Sequence, residues 1–233
     1  MWPSQIHRGA LWLAAGAILY WLAFAFSGWT VWIKGVGVVY VDLLFAWLGV
    51  LLNTLAWPDL WDGLKGLAGS QRGATDALVA RRSFYLVLGF VGAAAALVPL
   101  QYRTVGPTGL WVLSLYISSF PYLAWLLIPT LALYGILFGR VGNFLDSTSK
   151  RLTDAGAMVL FAVAAVTTAL VLHAPASTVF TQSWSVGFGI LPAAAGAGYL
   201  LIATGMTHHK LAEPAPTRGW ALAKTPRAKE RWA

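Results

Sequence analysis

Few residues in this chain combine a reactive type with a position where that type could act. Asp42 is the one carboxylate inside an apolar run rather than at its edge, early in the second of six such stretches, and Lys34 sits in the short turn before that stretch. An ionisable group at membrane depth costs free energy and marks a functional site by default. The pair reads as a proton or cation site, or a substrate contact, opening to the outside. The competing reading is an ion pair of Asp42 with Lys34 or Arg103 that fixes the rim of the protein. The structural reading is favoured, because no second carboxylate lies at comparable depth to form a relay. Ser118 and Ser119 stand in the middle of the fourth stretch, followed by Pro121 and later Pro129. A helix broken there would present hydroxyls and backbone groups to a transported species, as discontinuous helices do in transporters.

The four histidines are His7, His173, His208 and His209. A haem held inside a bundle takes two histidines facing each other from within spans, whereas each of these falls at a span end. His7 with His208 or His209 is the nearest approach to a metal or haem ligand pair. Histidines at span ends more commonly cap helix termini, where the helix dipole favours them. Covalent catalysis needs a base beside its nucleophile, and the serines of the fourth stretch have no histidine or lysine at their depth. There are no cysteines, so thiolate chemistry, disulfides and iron–sulfur ligation are excluded. GxSxG, HExxH and phosphate-loop motifs are absent, as are the Asp-rich signatures of lipid-modifying transferases. The residues thus favour a chain without catalytic groups of its own and identify no cofactor. An intramembrane lipid-modifying enzyme is the least favoured alternative.

The elements that must position these residues follow from composition. Of 233 residues, 58% are hydrophobic and only 10% charged, against about 25% charged in a soluble domain; mean hydropathy is +0.68. Continuous apolar runs exclude a β-barrel, whose strands alternate. The expected fold is all-α, a polytopic bundle of six transmembrane helices, at residues 9–33, 37–57, 83–100, 109–139, 154–173 and 182–205. The fourth is long for one crossing and is expected to be kinked or broken at its prolines. With six crossings, 14 of the 16 Lys and Arg side chains fall on one side and only Lys34 and Arg103 on the other. The positive-inside rule then places both termini in the cytoplasm. The division is a membrane domain over 1–205 and a basic tail over 206–233, expected to be disordered alone and ordered only against a partner.

The segment from Pro58 to Arg82 reads as the longest internal loop. Leu60, Trp61, Leu64 and Leu67 recur in it at helical spacing, but Gly63, Gly66 and Gly69 weaken a helix. A short surface helix and a flexible connector are equally compatible. Asp76 is expected to cap the next helix. Trp21, Trp47 and Trp125 fall near mid-span and read as packing residues. Small residues mark close helix approach: Gly89 and Gly92 in the third span, Ala162, Ala165 and Ala169 in the fifth, and Gly187, Gly189, Ala194 and Gly198 in the sixth.

Together these features point to a non-catalytic subunit, scaffold or anchor, of a larger membrane complex, with electron transport or another energy-converting system as the expected setting. Its expected partners are membrane lipid and other membrane subunits, not nucleic acid. The alternative is a small transporter, channel or permease component with a site around the fourth span and Asp42. A transporter should enclose a polar cavity; a scaffold should have a dry core.

Overall fold

The computed structural model describes residues 2–26, 29–35, 37–71, 74–105, 111–173 and 182–207, without the side chains of 37–40, 43, 94–124 and 182–188. Six helices follow one another, α1 (Trp2–Ala25), α2 (Val41–Ser70), α3 (Thr75–Val105), α4 (Trp111–Gly142), α5 (Ser147–His173) and α6 (Gln182–Thr207). Among the described residues four segments, Trp2–Ala25, Trp125–Gly142, Ser147–His173 and Gly189–Thr207, are long and apolar enough to cross a membrane, and they mark the chain as an integral membrane protein.

The first apolar run is not one element. Its helix ends at Ala25, and Thr30–Ile33 (β1) pairs antiparallel with Gly37–Tyr40 (β2), in the register Thr30↔Tyr40 to Ile33↔Gly37. Thr30, Val31 and Ile33 are β-branched and crowd a helix less comfortably than a strand. Gly35, at φ 89°, supplies the left-handed backbone that the tight turn needs. The Val41 N–H donates to the Trp29 carbonyl at 3.0 Å, which ties the hairpin to the start of α2. α4 is one continuous helix of 32 residues rather than two halves.

The segment after Pro58 is neither a loop nor a separate surface helix: α2 runs through it to Ser70. Pro58 has no N–H to give to the Thr54 carbonyl and would weaken an isolated helix. Here α1 holds the helix together, because α1 begins at Trp2, well before the first apolar run. Trp2 and Ile6 cover the stripe Leu60, Leu64 and Leu67, all fully buried. Gly63 and Gly66 are what allow this: a Cβ on Gly63 would come within 2.5 Å of the Ile6 side chain, and one on Gly66 within 3.0 Å of Trp2.

Close packing runs around the bundle in the order α2, α1, α6, α5, α4, α3, and the two ends of this row, α3 and α2, touch only sparsely. One core links all six helices. It lies toward the end where α1 starts and α6 finishes, termed here the basic end because Arg8, Lys65, Arg81, Arg82, Arg140, Lys150 and Arg151 surround it. The opposite end carries the hairpin. α5 and α6 cross where Gly156 and Gly198 face each other; a Cβ on Gly156 would overlap the Gly198 carbonyl. Apolar surface gains little by leaving lipid, so van der Waals contact at such crossings is what holds the helices together.

Several expected contacts are corrected. Gly89 and Gly92 face open space, with nothing within 4 Å of a Cβ. Ala162, Ala165 and Ala169 are exposed; the packed face of α5 is Gly156, Leu160, Val163, Ala164 and Thr167. Trp21, Trp47 and Trp125 project outward rather than into the core. Gly198 packs as expected, and Gly189 rests on Phe24.

Candidate functional site

At the hairpin end, Asp42 lies in the first turn of α2 and is 9% exposed. A carboxylate there is stabilised by the free N–H groups and the dipole of the helix N-terminus. Lys34 is exposed at the hairpin tip, and the ion pairs among the described residues are Arg8–Asp59 and Arg140–Asp76. The Arg103 side chain lies outside the described residues. Ser118 and Ser119 fall in the continuous α4, and their side chains are likewise not described. The structure therefore does not bring Asp42, Lys34, Ser118 and Ser119 together into a described site.

At the basic end, polar groups join helices. Arg8 of α1 pairs with Asp59 of α2 at 2.8 Å. Asp76 does not cap its own helix. One of its oxygens accepts from Arg140 at 2.9 Å and the other from the Asn143 amide at 2.9 Å, while Lys150 donates to the Asn143 carbonyl oxygen at 2.7 Å. This network ties the start of α3 to the end of α4 and the start of α5. The His7 Nδ1–H donates to the Ala203 carbonyl at 2.9 Å, which joins α1 to α6. No cluster of three or more metal-ligating side chains occurs among the described residues; His208 and His209 lie outside them, as does nearly all of the tail. His173 sits at the end of α5 with Nδ1 on the Ala169 carbonyl at 2.8 Å, a helix-terminus role as expected.

Within the spans, the hydroxyls of five threonines are taken up by their own helices. Thr130, Thr153, Thr167, Thr168 and Thr204 each donate to the carbonyl four residues back, at 2.7–2.9 Å. The middle of the core is aromatic: Tyr134 and Phe138 of α4 pack against Tyr199 of α6, with ring centroids 5.8–6.2 Å apart.

One described recess lies at the seam between α2 and α3. It is a groove of about 410 Å³, open on one side and lined by Thr54, Trp57, Pro58 and Trp61 of α2 and by Phe84 and Leu88 of α3. The α2 residues fall at i, i+3, i+4 and i+7, one helical stripe. The Trp57 ring forms part of the wall, and its buried Nε1 faces the Tyr134 hydroxyl without completing a well-aligned hydrogen bond. Trp61 packs against Phe84 and edge-on against Tyr85, at 6.4 and 5.3 Å. Arg81 donates through Nε to the Tyr85 hydroxyl at 2.7 Å and lies 5.4 Å from the centre of that ring. No signal in the sequence marks this site, because nothing in a single chain reveals which two helices leave a gap.

Neither a family model, nor a curated protein, nor a solved structure matches this chain.

Proposed function

We propose that the chain is a non-catalytic integral subunit of a larger membrane assembly, of an electron-transport or other energy-converting kind. In this reading it crosses the bilayer six times with both termini in the cytoplasm. The observation that supports it is the disposition of polar groups. The described threonine hydroxyls in the spans bond their own carbonyls, the core is aromatic and aliphatic, and the ion pairs Arg8–Asp59 and Arg140–Asp76 join helices at one surface. A transporter with a site at the fourth span needs polar groups free to meet a solute, and the described half of α4 offers Tyr134, Leu137, Phe138 and Val141, all packed inward. The basic end meets the positive-inside expectation for a cytoplasmic face: among the described charged side chains only Lys34 and Asp42 lie at the hairpin end.

Copurification from the native membrane in mild detergent tests the reading. A stable complex with defined membrane partners is expected, and a chain that runs alone and catalyses solute uptake in proteoliposomes would overturn it. Topology is tested separately. Single cysteines at the exposed positions Ser70 and Thr148 should label only from the cytoplasmic side, and one at Lys34 only from the other.

A further inference from the structure

We propose that the α2–α3 groove is a site for one anionic phospholipid, an acyl chain lying along Trp57, Trp61, Phe84 and Leu88 and the phosphate meeting Arg81 and Arg82. The inference is independent of the subunit reading, since it concerns the isolated chain in a bilayer.

The groove has the dimensions of a lipid chain rather than of a protein element. From Thr54 to Trp61 it spans two turns of α2, about 10 Å, and its 410 Å³ lies within the usual range for small ligands of about 300–1,000 Å³. A partner helix is about 10–12 Å across and would need the whole length of the seam. The walls are almost wholly apolar, which suits an acyl chain and gives no foothold to a polar solute. The two indoles are the side chains that favour headgroup depth.

Charge decides which lipid. One turn beyond Phe84 toward the basic end stands Arg81, with Arg82 beside it, and one turn beyond Trp61 stands Lys65. The nearby carboxylates that could neutralise them are engaged elsewhere: Asp59 pairs with Arg8, and Asp76 with Arg140 and Asn143. Asp62 remains, so these four groups carry a net charge of +2. Arg81 is held at the mouth of the groove by Tyr85, and that contact takes up its Nε while leaving the terminal nitrogens of the guanidinium to donate. A guanidinium so placed offers a phosphate the paired donors that it binds best.

The test uses the full chain, purified in mild detergent and titrated with phosphatidylglycerol or phosphatidylcholine of identical acyl chains, with bound lipids counted by native mass spectrometry. One tightly retained phosphatidylglycerol is expected, with phosphatidylcholine bound more weakly. Arg81→Gln and Arg82→Gln should each weaken that retention about fivefold, the equivalent of about 1 kcal/mol per basic side chain. Leu88→Trp should abolish the tight site for both lipids by filling the groove. Arg151→Gln removes an exposed charge from α5, away from the groove, and should leave retention unchanged. Equal retention of the two lipids by the unmodified chain would overturn the proposal, as would an equal loss in Arg151→Gln, which would mean diffuse attraction to the basic end. Arg81→Gln also removes the contact with Tyr85, whereas Arg82 is exposed, so Arg82→Gln decides the matter even if Leu88→Trp fails to fold.

Discussion

α2 has two flanks, and they are built on opposite plans. Against α1 it is stitched by glycines from both sides: Gly9 lies over Leu60, Gly16 over Asn53 and Gly49, Gly63 over Ile6, and Gly66 over Trp2. Against α3, its neighbour in sequence, its contact is sparse, and the described ring contacts run from Trp61 to Phe84 and Tyr85. The glycines of α3, Gly89 and Gly92, touch nothing. The comparison teaches that a small residue permits close approach but does not cause it. Approach needs a surface of matching relief opposite, and α1 offers one where α3 does not. A short connection usually makes neighbours of the helices it joins. Here the connection from Ser70 to Thr75 brings two helices side by side and leaves a groove between them.

The sharpest way to break the tight flank is Gly63→Leu. Its Cβ alone would crowd the side chain and backbone of Ile6, and overpacking of this kind typically costs about 1–3 kcal/mol or more. A large fall in the thermal midpoint in detergent, or failure to accumulate in the membrane, is the expected result; a midpoint near that of the unmodified chain would show that α1 and α2 are not packed as described. The same measurement on Gly156→Ala asks whether the α5–α6 crossing follows the tight plan. A loss of about 1–3 kcal/mol is expected, because the added methyl meets a backbone carbonyl that cannot rotate away.

A smaller effect separates two polar clamps, one beside the tight α1–α2 flank and one joining α3 to α4 and α5. Asp76→Asn loosens the α3–α4–α5 network and should cost about 1 kcal/mol, with the loss shrinking at high salt, because the pair is partly exposed. Arg8→Gln on the α1–α2 flank should cost less, since the glycine packing beneath it persists. The reverse ranking in denaturation curves would mean that ion pairing, not close packing, holds α1 to α2. The smallest effect has the opposite sign. Gly89→Ala and Gly92→Ala fill empty space and should raise stability by up to about 1 kcal/mol each through helix propensity alone. A loss at either position would reveal a neighbour on the open flank.

How much of this was legible in the chain depends on which physical signal each feature uses. Six helices were legible because apolar runs of sufficient length leave the backbone no other way to bond itself in lipid. The periodic Leu60, Trp61, Leu64 and Leu67 correctly signalled helix. Their burial was not legible, because it depends on Trp2 and Ile6 of a different helix reaching past the expected start of the first span. Pro58 looked like a terminus for the same reason: tertiary contacts that outweigh one missing hydrogen bond leave no mark on the proline itself. The hairpin was written in Thr30, Val31, Ile33 and Gly35, but in an apolar context those residues read equally as the end of a span. At the candidate site, Asp42 stood out in the sequence as the acid inside an apolar run, and the structure places it in the first turn of α2, a place equally open to a transport role and to a rim pair with Lys34 or Arg103. The groove was not legible at all, since a gap between two helices belongs to neither sequence.

The hydrogen bond from His7 to Ala203 joins residues 196 positions apart. As the chain is synthesised, α1 enters the membrane first and finds α2 at once. The face of α1 that bears Ala14, Ala17 and Ile18 has to wait for Gly196 on the last helix. Until α6 has left the ribosome, that face is bathed in lipid, and any truncated chain ending before α6 displays it permanently. α6 therefore closes the packing of α1 long after α1 itself has been made, and the order of synthesis leaves this contact among the last to form.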